Sequence, residues 1–248
     1  FAAIKAQLES ELGERYHDFE WIEEVAFASA SIGQVHRGRL RDGRDVALKI
    51  QFPDMDRIVR ADVRNLKLIV SPLFTLLGGV NLEPVWIELE ERLAEELDYE
   101  REARNLQRYA ELTADRDELI LPRVYPEFST RRVLVMEFVG GLSGEEALAP
   151  GIPQELRNRW GQTMMSLALE GFLVHRFLHT DPHPGNYAFR EDGRLVMYDF
   201  GSVKEVPEPL ARAYGLAARA LLDEELERIP PVLQEVGIHM KDGAPIRD

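Results

Sequence analysis

One stretch of sequence decides the fold: His179-Thr180-Asp181-Pro182-His183-Pro184-Gly185-Asn186, followed beyond a short predicted hairpin by Asp199-Phe200-Gly201. It has the form H-x-D-x4-N and then D-F-G. Asp181, Asn186 and Asp199 supply carboxylate and amide oxygens, which are the ligands that the hard cation Mg²⁺ prefers. The pattern therefore indicates chemistry on phosphate-like groups, where a protein mainly positions the reactants and neutralises charge.

The same spacing is found in the catalytic loops of protein kinases. In those loops the Asp accepts the proton of the substrate hydroxyl, a later Asn holds Mg²⁺, and the Asp of D-F-G also binds the metal. The spacing of Asp181, Asn186 and Asp199 matches this arrangement. The sequence accordingly predicts phosphoryl transfer from a nucleotide that carries Mg²⁺.

The two histidines of this loop leave a second interpretation open. Histidines four residues apart on one face of a helix can bind a transition metal, and His179 and His183 have that spacing. Pro182 and Pro184 argue against a helix there, because proline lacks the backbone donor and clashes with the preceding turn. We therefore favour the magnesium site over a histidine metal site.

The second signal is Val46-Ala47-Leu48-Lys49. An apolar strand that delivers one lysine is close to the V-A-I-K pattern, whose lysine contacts nucleotide phosphates. A strand ending in a solvated lysine would look the same, so the motif alone leaves both readings open. Its position well ahead of the H-x-D-x4-N loop is the order found in kinases and favours the phosphate contact. Such a lysine needs an acidic partner, and we expect Glu102 to provide it.

Small residues fill the segment just before the lysine strand, Phe27-Ala28-Ser29-Ala30-Ser31-Ile32-Gly33-Gln34-Val35-His36. A loop at this position is expected to cover phosphates and is usually rich in glycine, yet Gly33 is its only glycine. Because alanine enters positive φ only at a cost, we expect a stiffer loop whose small side chains still permit close approach to phosphates. The alternative is a small-residue turn packed under a helix.

Composition excludes several other classes of protein. The 248 residues carry 44 acidic and 30 basic side chains, a formal net charge of −14, which opposes binding of nucleic acid. The absence of cysteine excludes disulfides, thiolate metal sites and a thiol nucleophile. The longest nearly uncharged run, residues 68–82, is too short to cross a bilayer and is predicted to be buried or interfacial.

Hydrophobic periodicity predicts the elements around these motifs. Helices are predicted over residues 1–19, with Ile4, Leu8 and Leu12 on one face, over 57–77 and 84–112, from Pro153 towards His179, and twice after Pro209. Strands are predicted in a hairpin over 25–52 that turns at Arg41-Asp42-Gly43, over 124–138, and in a hairpin that turns at Asp192-Gly193. A boundary between two lobes is expected at Gly140-Gly141.

Together these motifs resemble the UbiB (AarF) family of atypical kinases, over nearly the whole chain. The residues that carry the resemblance are Ala28–His36, Val46–Lys49, Glu96-x-Asp98, Glu102-Ala103-x-Asn105, Asp181–Asn186 and Asp199-Phe200-Gly201. The Ala-rich loop and the acidic pair are not features of ordinary protein kinases, so the match is specific. The resemblance implies an α+β, two-lobed protein-kinase-like fold. Residues 1–139 would form a small β-rich N-lobe with added helices, and residues 140–248 a mainly helical C-lobe.

Site residues follow from the resemblance position by position. Lys49 would contact the α and β phosphates, Glu102 would pair with Lys49, and Asp181 would be the catalytic aspartate. Asn186 and Asp199 would hold Mg²⁺. The residues expected to contact the nucleotide, ATP or ADP, are Ala28, Ser29, Ala30, Ser31, Ile32, Gly33, Gln34, Val35, Ala47, Lys49, Met136, Glu137, Phe138 and Val139.

The resemblance also implies a function. Family members in bacteria, mitochondria and plastids are linked to ubiquinone and other isoprenoid-quinone lipids, so we expect an atypical kinase or ATPase that supports the synthesis or handling of such lipids. The expected partners are a nucleotide, an isoprenoid or quinone lipid and membrane-associated biosynthetic proteins, without nucleic acid. We expect a cytoplasmic protein, peripheral to the membrane, and no transmembrane segment in this chain.

Two departures from related patterns limit this expectation. No Ala-Pro-Glu motif follows Asp199-Phe200-Gly201, so the peptide-docking segment of ordinary protein kinases is missing and protein phosphorylation is not expected. The Lys-x-Gly-Gln helix, which in the family folds over the active site and meets Glu96 and Asp98, is also missing. Because the chain begins at Phe1 without a leader, we expect it to be a piece of a longer protein whose flanks carry any membrane anchor.

Two other functions stay open at the level of sequence. Aminoglycoside and choline phosphotransferases use a similar His-x-Asp-x-His-x-x-Asn loop, although they are not expected to show Ala28–His36 together with Glu96-x-Asp98. A pseudokinase that binds nucleotide only to stabilise a quinone-synthesis assembly would retain the same residue types.

Overall fold

The structure, a computed structural model, describes residues 1–78 and 82–238. The chain divides into two units that are interleaved along the sequence. The first unit contains Phe1–Glu111, Ile120–Gly141 and Val196–Ser202. The second contains Leu112–Leu119, Leu142–Leu195 and the chain from Val203 onward. The two lobes expected from sequence are each one continuous segment of the chain, residues 1–139 and 140–248, whereas each of these units is made of several segments. The lobe boundary between residues 139 and 140 stays a prediction.

Helices and mainly antiparallel strands make the fold α+β, as predicted. The helices are α1 (Ala2–Leu12), α2 (Met55–Gly78), α3 (Glu83–Glu96), α4 (Tyr99–Leu112), α5 (Gly144–Ala147), α6 (Gln154–Leu173), α7 (Glu208–Leu222) and α8 (Ile229–Glu235). The strands are β1 (Phe19–Ile22), β2 (Ala28–Ala30), β3 (Gly33–Leu40), β4 (Asp45–Gln51), β5 (Leu119–Ile120), β6 (Val133–Glu137), β7 (Phe177–His179), β8 (Tyr187–Phe189), β9 (Leu195–Met197) and β10 (Val203–Glu205).

An antiparallel sheet forms the centre of the first unit. Its strand order is β1-β3-β4-β6, and β2 pairs with β3. The predicted hairpin between β3 and β4 is confirmed. It turns at Gly43, whose φ of 92° is a conformation that glycine adopts without strain. Because β4 lies between β3 and β6, both edges of the strand that carries Lys49 are hydrogen-bonded.

The helix α1 covers one face of this sheet. Its buried residues Ile4, Leu8 and Leu12 pack in one apolar cluster with Leu48 and Ile50 of β4. The predicted amphipathic helix is thus confirmed, although it ends at Leu12, and residues 13–18 form a 3-10 turn. Since successive side chains of a strand point to opposite faces, Lys49 faces away from α1.

The helix α2 contains the first part, residues 68–78, of the apolar run that sequence analysis predicted to be buried or interfacial, and residues 79–81 of that run lie outside the described residues. Leu68 is 69% exposed and Ile69 is 71% exposed, so burial is wrong for these two residues. Their interfacial role stays a prediction. No helix within residues 1–78 and 82–238 is long and apolar enough to cross a membrane.

The single helix predicted over residues 84–112 is wrong, because the structure has two helices, α3 and α4, separated at Leu97 and Asp98. The carboxylate of Asp98 accepts a hydrogen bond from the N–H of Arg101 at 3.0 Å, as an N-cap residue does. The N–H of Tyr99 donates to the carbonyl of Arg131 at 3.0 Å. These two bonds satisfy donors at the start of α4 and tie it to the turn before β6.

The β-structure predicted over residues 124–138 is confirmed only in part. A continuous strand covers Val133–Glu137, while Pro126–Phe128 form a 3-10 turn. Pro126 has no backbone N–H to give to a ladder, which explains why the strand does not extend through it.

In the second unit, α6 confirms the helix predicted after Pro153, and its Trp160 and Leu167 are buried. Gly171 of α6 allows close packing on β7, because a Cβ there would lie 3.1 Å from the carbonyl oxygen of Phe177. The strand β7 pairs with β10 in an antiparallel ladder. The predicted turn at Asp192-Gly193 is present, with φ 90° at Gly193. The two helices predicted after Pro209 are confirmed as α7 and α8, although α7 begins at Glu208.

Candidate functional site

Lys49 is a buried cation at the centre of the first unit. In the β4 ladder it lies opposite Val35 of β3 and Leu134 of β6, and it is only 7% exposed. The alternative reading of this motif, a strand that ends in a solvated lysine, is therefore wrong. A buried ammonium group is stable only with compensating charge and hydrogen bonds, so its surroundings decide what it can do.

Two carboxylates surround the Lys49 ammonium group. Its Nζ donates to both oxygens of Glu102, at 2.7 and 2.8 Å, and to one oxygen of Asp199 at 2.8 Å. The predicted pairing of Lys49 with Glu102 is confirmed. Glu102 is 3% exposed and extends from α4, so the ion pair joins that helix to the centre of the sheet.

Burial is the largest influence on the protonation of this cluster. It lowers the pKa of Lys49, but the negative charges of Glu102 and Asp199 outweigh it and hold that pKa above its ordinary value. Burial also raises the pKa of Glu102 to about 7, against the lowering effect of Lys49. With one cation between two carboxylates, the cluster attracts further positive charge.

The Asp199-Phe200-Gly201 segment is fixed by a hydrogen bond within itself and by contacts with α4. The N–H of Gly201 donates to the Asp199 carboxylate at 2.9 Å, and the side-chain amide of Asn105 donates to the Phe200 carbonyl at 2.9 Å. The Phe200 ring is fully buried, 5.0 Å from the ring of Tyr109. Sequence analysis quoted Asn105 within a motif without giving it a role. Its position three residues after Glu102, on the same face of a helix, was the available signal.

Tyr99 belongs to the same cluster, and sequence analysis missed it. Its ring centroid lies 5.1 Å from Nζ of Lys49, a distance suited to a cation–π contact. The side chain is 2% exposed, and its hydroxyl has no hydrogen-bond partner among the described residues. Burial raises the pKa of Tyr99, so the hydroxyl stays neutral. The only signal in the sequence was its place between Asp98 and Glu102.

The small-residue segment forms the hairpin of β2 and β3. Ala28 lies opposite Val35, and Ala30 lies opposite Gly33 at the turn. Ala28 and Ser29 are exposed, so the alternative of a turn packed under a helix is wrong for them. All nucleotide contacts predicted for this segment, including those of Ser31, Ile32 and Gln34, stay predictions. Ser31 donates to the carboxylate of Glu96 at 2.9 Å.

The predicted adenine edge follows the strand β6. Met136 is buried, while Glu137 is exposed at the end of the strand. The Phe138 ring meets the exposed ring of Phe27 edge-on, with centroids 5.7 Å apart. The carbonyl of Val139 accepts a hydrogen bond from the hydroxyl of Tyr198 at 2.6 Å. The contacts of Met136, Glu137, Phe138 and Val139, and of Ala47 in β4, with a nucleotide stay predictions.

Asp181 and Asn186 lie together in the second unit. The side-chain amide of Asn186 donates to the Asp181 carboxylate at 2.8 Å and to its carbonyl at 3.0 Å. This directs the amide oxygen of Asn186 away from Asp181. The catalytic role of Asp181 and the joint binding of Mg²⁺ by Asn186 and Asp199 stay predictions.

The two histidines of the loop each accept a hydrogen bond from a backbone N–H group of the same loop. Nδ1 of His183 accepts a hydrogen bond from the N–H of Gly185 at 3.0 Å, and Nδ1 of His179 accepts one from the N–H of Asp181 at 3.3 Å. Within the residues that the structure describes, no group of three or more His, Cys, Asp or Glu side chains is arranged to hold a metal ion. The histidine metal site left open by the sequence has no support in this loop geometry.

Comparison with known proteins gives a consistent family. Residues 1–232 match the family described as the ABC1 atypical kinase-like domain. The mitochondrial atypical kinase COQ8B of Rattus norvegicus is 35% identical over 224 residues, which cover 90% of this chain and 42% of the relative. The chloroplastic protein ACTIVITY OF BC1 COMPLEX KINASE 8 of Arabidopsis thaliana is 30% identical over 246 residues, which cover 95% and 32%. The chain thus spans less than half the length of these relatives.

A solved structure shares the fold. It is described as the complex of Rv3197 with erythromycin from Mycobacterium tuberculosis, and it matches with a TM-score of 0.84 at 29% sequence identity. The match covers 99% of this chain and 62% of that chain. Together with the family match, it confirms the predicted kinase-like α+β fold.

Proposed function

This chain belongs to the ABC1 atypical kinase-like family, and from that premise we propose that it binds ATP or ADP with Mg²⁺ and transfers or hydrolyses the terminal phosphate. Family membership makes it a kinase-like protein and argues against the aminoglycoside or choline phosphotransferase alternative. The nucleotide, the metal and the reaction are the parts that we propose.

The observation that carries the proposal is the buried Lys49 held by Glu102 and Asp199. Burying such a cluster costs several kcal/mol per ion, and apolar residues of similar size often give equal or greater stability. The presence of this charged cluster despite its cost in stability therefore suggests that its charges serve a function. Strongly perturbed groups brought together in this way are typical of functional sites. A lysine fixed by Glu102 suits contact with phosphate oxygens, as the sequence pattern implies.

Magnesium suits the donor set around Lys49. The cluster carries two carboxylates for one ammonium group, and the Asp199 side chain is 33% exposed whereas that of Glu102 is 3% exposed. Asp199 is therefore the carboxylate that a cation can reach. The sequence pattern adds Asn186 as a second oxygen ligand. When bound, Mg²⁺ would neutralise negative charge on the phosphate oxygens.

The proposed role of Asp181 is to accept the proton of an attacking hydroxyl or water. Its carboxylate is held by Asn186, which fixes its orientation. The acceptor class that we propose is tied to ubiquinone or another isoprenoid lipid, at a cytoplasmic site peripheral to a membrane. This part rests on the resemblance to a family linked to such lipids.

The first experiment measures the thermal stability of the protein with ATP and ADP, each with and without Mg²⁺. A ligand that binds only the folded state raises stability by about 2.7 kcal/mol at a hundred times its Kd. We expect Mg²⁺-dependent stabilisation in the wild type and loss of it in Asp199→Asn. Asp62→Asn is the matched control, because Asp62 is an exposed carboxylate on α2 of the same unit. Equal stabilisation of wild type and Asp199→Asn would contradict the metal assignment.

A second variant separates an enzyme from a nucleotide-binding scaffold. We expect Asp181→Asn to keep the Mg²⁺-dependent stabilisation and to lose phosphate release or transfer. If the wild type binds nucleotide but shows no turnover in the presence of isoprenoid-lipid vesicles, and Asp181→Asn is indistinguishable from it, the scaffold function is favoured instead.

A further inference from the structure

A cavity of about 260 Å³ lies in the first unit, apart from the residues of the proposed nucleotide site. It is bounded by the end of α1, the end of β4, the first turns of α2 and the turn before β6. Three arginines line it: Arg60, Arg131 and Arg132. In a chain of net charge −14, three guanidinium groups around one small cavity are unexpected and ask for an explanation.

Two of these arginines have no acidic partner. Within the described chain, neither Arg60 nor Arg131 forms an ion pair or a side-chain hydrogen bond, and both residues are exposed at the cavity. Guanidinium groups that are not used by the fold are available to a ligand. Each presents a planar fork of donors that fits the oxygens of a phosphate or carboxylate group.

The two carboxylates at the cavity both pair with the third arginine. Arg132 lies 3.3 Å from a carboxylate oxygen of Glu11 and 3.5 Å from one of Asp56. The Glu11 carboxylate also accepts a hydrogen bond from the hydroxyl of Thr130 at 2.8 Å. The lining therefore carries three positive and two negative groups, a net charge of +1, and the two guanidinium groups without a carboxylate partner are those of Arg60 and Arg131.

The floor of the cavity is built of buried residues. Gln51 is 2% exposed, and its side-chain amide donates to the carbonyl of Arg131 at 3.3 Å. Its backbone N–H donates to the carbonyl of Arg132 at 3.0 Å. Leu97, buried between α3 and α4, completes the floor. These contacts hold the turn that carries Arg131 and Arg132 against the sheet, so part of the site is formed before any ligand binds.

We propose that this cavity binds a small molecule that carries one phosphate group, with Arg60 and Arg131 as its ligands. A volume of about 260 Å³ is at the lower limit of small-molecule pockets, so a phosphate with a few further atoms fits and a nucleotide does not. Phosphate is favoured because two arginine forks can each bind two of its oxygens. The proposal is independent of the proposed nucleotide site, with which it shares no residue.

The test is isothermal titration at constant ionic strength, without nucleotide or Mg²⁺, using inorganic phosphate and glycerol 3-phosphate as separate probes. We expect binding to the wild type and at least tenfold weaker binding to Arg60→Ala/Arg131→Ala. Arg64→Ala is the matched control, because Arg64 is also exposed and unpaired in the described chain, one turn along α2 from Arg60 and outside the cavity. It should bind as the wild type does.

Two further variants keep the test decisive. Loss of phosphate binding in a Lys49→Met protein that is shown to be folded, with retention in the double arginine variant, would place the phosphate at Lys49 and overturn the proposal. Arg60→Ala alone, on an exposed helix position, should weaken binding even if the double variant fails to fold.

Binding of glycerol 3-phosphate but not of inorganic phosphate would identify a phosphate monoester as the ligand class, and the reverse would identify free phosphate. Equal affinity in the wild type and the arginine variants, or no binding of either probe at millimolar concentration, would overturn it.

Discussion

The ammonium nitrogen of Lys49 lies within 2.8 Å of both carboxylate oxygens of Glu102. One residue belongs to a central strand and the other to the helix α4, so a single ion pair fixes the helix against the sheet. Because both side chains are almost fully buried, neither charge can return to water if its partner is removed. The pair is therefore more important to the folded state than a surface salt bridge would be.

We predict that Glu102→Leu lowers the free energy of unfolding by about 3 kcal/mol, because it leaves a buried ammonium group with Asp199 alone. Lys49→Met should also destabilise, since it leaves the buried Glu102 carboxyl unpaired. The double variant Lys49→Met/Glu102→Leu should lose less than the sum of the two single variants. Chemical denaturation of the four proteins measures the coupling. Strict additivity would mean that the ion pair contributes nothing.

We also predict a pH dependence of stability that Glu102 causes. Its pKa is about 7 in the folded state and 4.5 ordinarily, so the folded state holds this proton more tightly. The free energy of unfolding contributed by this group should therefore fall as pH rises from 4.5 to 7, by up to about 3 kcal/mol, and should be constant above that window. Lys49 is protonated in both states across this range and adds no slope.

The measurement compares the wild type with Glu102→Gln by chemical denaturation at several pH values. The difference in unfolding free energy, wild type minus variant, should decline between pH 4.5 and 7. A difference that is constant, or that rises with pH, would show that the folded state does not raise the pKa of Glu102.

Much of this cluster could be predicted from sequence, because Val46–Lys49 is close to the V-A-I-K pattern and precedes the H-x-D-x4-N loop in the order found in kinases. Glu102 could be paired with Lys49 because such a lysine needs an acidic partner and the family resemblance points to that residue. The break between α3 and α4 was not predicted, because the apolar residues Leu89, Leu93 and Leu97 keep helical spacing up to the break, and Asp98 was the only local signal of a new helix start. A distant carbonyl, that of Arg131, takes the N–H of Tyr99. Such tertiary hydrogen bonds override local propensity and leave no periodic signal.

The cavity lined by Arg60, Arg131 and Arg132 was still harder to predict from the sequence. Arg60 and Arg131 are far apart in the chain, and each alone is typical of a solvated surface residue. Only the sheet topology brings the start of α2 next to the turn before β6. The absence of carboxylate partners for them is likewise a property of the described structure and could not be read from composition.

We predict that Tyr99→Phe is neutral or raises the free energy of unfolding by about 1 kcal/mol. The Tyr99 hydroxyl is buried and has no hydrogen-bond partner in the part of the chain that the structure describes, so its removal relieves a desolvation cost. The ring that faces Lys49 is retained. Tyr198→Phe is the matched control and should destabilise by about 1 kcal/mol, since the Tyr198 hydroxyl donates to the Val139 carbonyl at 2.6 Å. Thermal denaturation should separate the two variants, and a loss of stability in Tyr99→Phe would indicate that its hydroxyl is satisfied.

The final prediction concerns Gly33, the one glycine of the small-residue hairpin. A Cβ at this position would lie 2.2 Å from the carbonyl oxygen of Ile50 and 3.0 Å from the hydroxyl of Tyr99. The first neighbour is backbone in a central strand and cannot move without breaking the ladder between β3 and β4. Gly33→Ala should therefore destabilise the protein by about 3 kcal/mol and weaken nucleotide binding, because the shift reaches the strand that carries Lys49. Gly161→Ala is the control: nothing lies within 4 Å of its added Cβ in α6, so it should stabilise by about 1 kcal/mol. If Gly33→Ala unfolded at the wild-type temperature, the close approach of β3 to the Ile50 carbonyl would not constrain the side chain at this position.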